Sequence, residues 1–407
     1  MENLIVACIQ QRMSIQSSHE EFNTEARRFL RQAQAKAARL VGFPELTGGM
    51  LAPPLISSLK LGFLKQKDQA KQPGAGFLSR TIGRVAGGTA GALGGGFWGS
   101  LGRLVHKRSD ALRDATIATF SALAREYGTA IVAGSVYLYD EESGTVRNRA
   151  YLFDLDGEVL GYQDKLNLTP GERELASPGS EMEVFQTRKA RLGLLIGRDA
   201  LYPELARALA VQGAELIVGL AACPGVAQAR IGRSALAMRA EENQVFVAAS
   251  FLLGPNHLGR DVQEDFYGQS ALLAPISLSP RGDGILIQAG TDRTEAVVAA
   301  ELDGPALSQI QATSRFRPRS EMNLGNAGAI LAEMYRDSLS VEEAIERRIS
   351  GPGYLTPEPE VADLVGQEAP EEPLEPSVVE EATAEELLWD AGAPGGESPK
   401  AGDRLDD

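Results

Sequence analysis

Short apolar runs alternating with stretches of helical spacing are the feature that most narrows what this chain can fold into. Leu4–Gln10 reads as a strand, and Glu20–Arg39 follows as a helix with Phe22, Ala26, Phe29, Leu30, Ala33 and Ala37 recurring on one face. Leu40–Phe43 is a second strand; a helix over Asp110–Tyr127 and a strand over Thr129–Tyr139 continue the pattern. Asn148–Lys165 reads as a hairpin turning at Asp156-Gly157. Leu192–Ile196 has the texture of a buried strand, and Pro203 opens a helix to Gln212 with proline where its missing N–H costs nothing. A strand at Glu215–Ala222, a helix at Val226–Asn243 and a strand at Gln244–Phe251 follow, before Ser270–Ile276, Gly284–Gln288 and Glu295–Leu302 close as a meander. This order predicts an α/β layered fold with a mixed sheet.

Charge divides the chain. Its net charge is −15, yet from Gly351 onward sixteen Asp and Glu face only Lys400 and Arg404. Residues 352–407 therefore predict a disordered acidic tail, within which Glu385–Asp390 (EELLWD) has the look of a short docking motif. Residues 321–351, with a helical pattern over Ala327–Ile349, form a helical extension of the body at 1–320. Residues 51–108 interrupt that body as a basic, glycine-rich insertion. Val85–Gly102 carries eight glycines and no charge, and each glycine costs a helix about 1 kcal/mol. A surface loop is one reading. Contact with a membrane surface through 76–108, helped by the small-residue spacing and basic flanks, is the other.

Cys8 and Cys223 lie in apolar runs, as reduced buried thiols of a cytoplasmic protein do, and no secretory signal is read at Leu4–Ile9. His19, His106 and His257 share no spacing that suits a metal site or a histidine-based triad, so neither metal nor cofactor is expected. Nucleic acid is not an expected partner, because the basic residues concentrate in one insertion of an acidic chain.

Three places carry chemistry. Glu45 stands at the carboxyl end of a strand, where open α/β sheets bind their ligands. Lys165 ends the hairpin in KLNLTPGERE, and Gly197-Arg198-Asp199 forms a sharp strand-to-helix turn. Singly, each is an ordinary rim charge or turn. Such a turn is also where enzymes mount a nucleophile, since the next backbone N–H receives a developing oxyanion. Here the residue at the turn is glycine.

Taken together, five ordered motifs resemble the carbon–nitrogen hydrolase (nitrilase) superfamily: GFPEL at 42–46, YQDKLNLTPGERE at 162–174, GLLIGRDALYPE at 193–204, MRAEENQVFV at 238–247 and FYGQSALLAP at 266–275. The resemblance implies a four-layer α-β-β-α sandwich that pairs through its helices as a homodimer. Its chemistry is attack by a cysteine thiolate on an amide or nitrile carbon. Glu45 then matches the general base and acid, and Lys165 the cationic stabiliser. Glu172 is the second glutamate, with Glu174 as the alternative. The nucleophile position falls on Gly197, and Asn167 stands where many members have histidine. Arg198 adds a cation beside Lys165; Asp199 aligns with the motif, and Cys223 is placed to face the same pocket. Losing the nucleophile of a cooperative constellation removes on the order of 10⁶ in rate. The expectation is therefore a degenerate homologue that binds a small polar ligand or scaffolds a partner. The rival readings are an active hydrolase or acyltransferase using Cys223, and a membrane-peripheral protein acting through the insertion.

Overall fold

The computed structural model describes residues 1–52, 54, 96–256, 264–315, 324–337 and 343. Two sheets carry the body, and both alternate their side chains between an inner and an outer face. The first runs β5 (Val159–Asp164), β4 (Thr145–Phe153), β3 (Ala130–Asp140), β2 (Leu40–Gly42), β1 (Leu4–Arg12) and β14 (Ala296–Leu302). The second runs β6 (Phe185–Gln186), β7 (Arg191–Ile196), β8 (Leu216–Ala221), β10 (Phe246–Leu253), β12 (Ala271–Leu273) and β13 (Ile285–Gln288). They are joined along one seam, where Gln11 and Arg12 of β1 pair in parallel with Leu252 and Leu253 of β10.

Three apolar clusters make the layering explicit. Val6, Cys8, Leu40, Val132 and Leu152 from one sheet meet Leu194, Ile196, Val218, Phe246 and Leu272 from the other, filling the space between them. On the outer face of the first sheet, Ala7, Ile9, Val41 and Ile131 pack under Phe22, Phe29 and Phe120 of helices α1 (His19–Ala35) and α2 (Gly96–Tyr127). Phe120 meets Phe22 and Phe43 edge-on at 5.8 and 5.4 Å, the arrangement the ring quadrupoles favour. Leu195, Ile217 and Val247 on the outer face of the second sheet receive Ala206 and Leu209 of α4 (Pro203–Val211) and Leu236 and Ala240 of α5 (Val226–Asn243). The architecture is the α-β-β-α sandwich.

Several expectations need correction. The first helix stops at Ala35 rather than Arg39, because Ala37 turns left-handed at φ 57°. The glycine-rich run is not loop throughout: Gly96–Gly102 are the first turns of α2, which bends at Arg108 (φ −139°, ψ 26°). The segment before that kink is anchored on its own side by Val105, fully buried. The strand expected over Ser270–Ile276 shrinks to β12, since Pro275 lacks the N–H that the ladder needs, and Ile276–Leu278 form a 3₁₀ turn. Helix α6 (Gly304–Thr313) was not read from the sequence, although Asp303 caps it and Pro305 sits in its first turn. Among the described residues no helix is long and apolar enough to cross a membrane. Most of 51–108, the acidic tail at 352–407 and its EELLWD motif lie outside the described residues. A second unit begins at Leu324, and its described part is helix α7 (Leu324–Asp337) together with Glu343.

Candidate active site

Glu45, Lys165, Glu172 and Gly197 come together at the carboxyl ends of β2, β5 and β7. The loop after β2 is pinned first. Phe43 N–H donates to Val132 C=O at 2.9 Å, and Leu46, left-handed at φ 67°, donates to Ser135 Oγ at 3.0 Å. Gly134 permits that close approach: at φ +74° it has no side chain to strike the Pro44 carbonyl. Glu45 is left 2 % exposed, pointing into the protein.

Lys165 Nζ donates to Glu45 Oε1 at 2.8 Å and to Glu172 Oε1 at 2.7 Å. Glu172 belongs to the short helix α3 (Pro170–Arg173), and a capping box holds it there. Its N–H reaches Thr169 Oγ1 at 3.2 Å, while its Oε2 accepts from Thr169 N–H at 2.7 Å. Glu174 is exposed one position past the helix, so Glu172 is the glutamate on the lysine. The remaining bonds to Glu45 come from Asn148 Nδ2 at 3.3 Å on Oε1 and from Ala222 N–H at 3.0 Å on Oε2. Tyr137 donates its hydroxyl to Glu172 Oε1 at 3.0 Å.

Neither Tyr137 nor Asn148 was identified from the sequence. They face each other across the β3–β4 ladder, so one cross-strand pair serves both carboxylates. A signal for Asn148 was present. It shares the inward register of Val146, Ala150 and Leu152, where a polar side chain requires a partner.

Gly197 begins a 3₁₀ turn to Leu201 with φ +54°. A methyl group on its α-carbon would stand 2.6 Å from Glu45 Oε2 and 2.8 Å from Lys165 Nζ. The acid and the lysine thus press against the bare backbone of the turn. Asp199, 1 % exposed, ties that turn to the lysine loop: it accepts from Leu166 N–H at 3.1 Å, Asn167 N–H at 2.7 Å and Asn167 Nδ2 at 3.0 Å. Arg198 is partly buried and takes no part in these bonds. Cys223, in the two-residue strand β9 (Cys223–Pro224) that pairs with β11 (Phe266–Tyr267), lies within electrostatic reach of Glu45 and Lys165.

Charge and burial oppose one another here. Burial pushes Glu45 above the usual carboxylate range, helped by the charge of Glu172 and resisted by Lys165. Burial acts on Glu172 too, but the lysine, the Thr169 N–H and the Tyr137 hydroxyl outweigh it and hold that carboxyl low. The two carboxyls are thus pushed in opposite directions, Glu45 up and Glu172 down. Burial, reinforced by Glu45, pushes the Cys223 thiol up to about 12. No group of His, Cys, Asp and Glu among the described residues is arranged to hold a metal ion.

Known proteins share this fold and parts of this sequence. The chain is 34 % identical over 195 residues to the probable hydrolase YhcX of Bacillus subtilis, a match covering 46 % of this chain and 36 % of that protein. To N-carbamoylputrescine amidase of Solanum tuberosum it is 30 % identical over 217 residues, covering 49 % of this chain and 67 % of the amidase. This chain therefore spans only about a third of the length of the first of these relatives. In three dimensions it superposes with a TM-score of 0.54 and 20 % identity on an amidase of Nesterenkonia sp. AN1 bearing acrylamide on its active-site cysteine, over 83 % of this chain and 100 % of that one. The carbon-nitrogen hydrolase model matches residues 5–312, so the chain belongs to that family.

Proposed function

We propose that this family member binds a small polar ligand at the Glu45–Lys165–Glu172 cluster without the covalent chemistry of an amidase. One observation carries the reading: Glu45 and Lys165 are packed against Gly197 where the β-carbon of a nucleophile would stand. A base and a cation remain, but the thiol that would use them has no counterpart. The purified full-length chain is expected to leave ω-amides, N-carbamoyl amines and nitriles intact. Turnover that disappears in Glu45→Gln would overturn the proposal. Pairing of two copies through α4 and α5 belongs to the same proposal, because Val211, Ile231 and Met238 are exposed there. Sedimentation at micromolar concentration that shows only monomer would refute that part.

The second reading is a hydrolase with Cys223 as displaced nucleophile, favoured by the thiol's place beside Glu45 and Lys165. Burial raises that thiol to about 12, which leaves little thiolate at pH 7. Native protein is therefore expected to resist iodoacetamide at pH 7 and react only once unfolded. An acyl or carbamidomethyl adduct on native Cys223, seen by intact mass, would favour this reading over the first.

A further inference from the structure

The cluster contains an imbalance of hydrogen-bonding capacity that points to one class of ligand. Asn148 is 1 % exposed, and its Nδ2 is committed to Glu45. Its Oδ1 is buried without a partner. Turning the amide over does not cure this, because it would set Oδ1 against Glu45 Oε1, two acceptors 3.3 Å apart. An orphaned buried acceptor costs about 1–3 kcal/mol unless something donates to it. Around it the acceptors are also in excess. Glu45 Oε2 accepts only from Ala222 N–H and Glu172 Oε2 only from Thr169 N–H, leaving each a lone pair.

Charge tells the same story. Three carboxyls, those of buried Glu45 and Asp199 and of partly buried Glu172, face the Lys165 ammonium, and burial raises the first two. The Tyr137 hydroxyl and the Cys223 thiol also face the cluster, and both are held neutral by burial. Arg198 is not bonded to any of the acids. Glu172 keeps 11 % of its side chain exposed, so the cluster meets solvent at that carboxylate.

We propose that the site takes a protonated primary amine or ammonium ion, held by Asn148 Oδ1 and the free lone pairs of Glu45 and Glu172. A cation with three or four N–H donors supplies both things the cluster lacks, positive charge and hydrogen bonds to unpaired acceptors. This deepens the non-covalent reading and rests on it.

The test is thermal unfolding of the full-length protein in ammonium or methylammonium chloride, with tetramethylammonium and potassium chloride at equal ionic strength as controls. Ammonium and methylammonium are expected to raise the midpoint saturably by about 3 °C or more, and the controls are not. Glu172→Gln removes one charge while preserving the capping box, since glutamine serves equally at that position. In that variant, and in Asn148→Leu, affinity for methylammonium by calorimetry is expected to fall at least tenfold. Equal shifts in all four salts, or undiminished affinity in Glu172→Gln, would overturn the proposal. So would an infrared carboxylic-acid band that vanishes in Glu45→Gln and is unmoved by ammonium, because a proton would then balance the cluster. None of these results alters the hydrolysis assay, so failure here is separable from failure of the non-covalent reading.

Discussion

Replacing Gly197 by alanine tests how tightly the cluster has closed on the turn. Two costs combine. At φ +54° the residue lies in the left-handed region, where an L side chain costs roughly 1–2 kcal/mol more than glycine. The added methyl would also stand 2.6 Å from Glu45 Oε2 and 2.8 Å from Lys165 Nζ, well inside van der Waals contact. Both are ends of flexible chains, so they retreat rather than clash. In retreating they lengthen the 2.8 Å Lys165–Glu45 bond, and a hydrogen bond to a charged group is worth about 1.5–3 kcal/mol. Losing half to all of it brings the expected destabilisation to roughly 2–5 kcal/mol. Urea unfolding followed by far-ultraviolet dichroism reads this as a lower midpoint at unchanged slope. A change within about 0.5 kcal/mol would mean that Glu45 and Lys165 do not rest on the glycine, and the argument from a closed site would fail.

Other substitutions probe neighbouring links. Lys165→Met leaves Glu45 and Glu172 buried without their shared cation; a loss of roughly 3–5 kcal/mol in urea is expected, and a loss under 1 would mean the acids are solvated. Asp199→Ala orphans the N–H groups of Leu166 and Asn167, so about 2–4 kcal/mol is expected to go, measured in the same way; a neutral effect would show that the lysine loop does not depend on this tie. The pH dependence has a definite sign. Glu45 is raised on folding, so its contribution is fully present below its unfolded pKa and is lost as pH rises through the raised value. Glu45→Gln abolishes that titration, and the variant should gain on the parent as pH rises above the unfolded carboxylate value of about 4. A stability difference that stays flat there would refute the raised value.

The layered fold was legible because burial imprints itself on local sequence. Leu192–Ile196 and Val226–Asn243 read correctly, the first as an unbroken apolar run and the second between a positive-φ glycine at 225 and a left-handed Gln244. The site was legible in part. The motifs brought Glu45, Lys165 and Gly197 to attention, but the choice between Glu172 and Glu174 needed Thr169, whose capping box is itself a sequence signal. Tyr137 and Asn148 became visible only when β3 and β4 were paired, for cross-strand opposition is not written into either strand alone. At the start of α2, glycine propensity argued for loop, whereas the segment is helical up to the kink at Arg108, with Val105 buried.

The cluster also bears on the order in which the protein folds. Glu45 reaches Lys165 across 120 positions of chain and Ala222 across 177, whereas Lys165 and Glu172 are only 7 apart. Long loops must close before the distant bonds give any return, so these charges stay hydrated until the strands that carry them have paired. Substitutions at Glu45 are then expected to accelerate unfolding while leaving the refolding rate nearly unchanged. The part of the molecule with the richest chemistry would be the last to take shape and the first to let go.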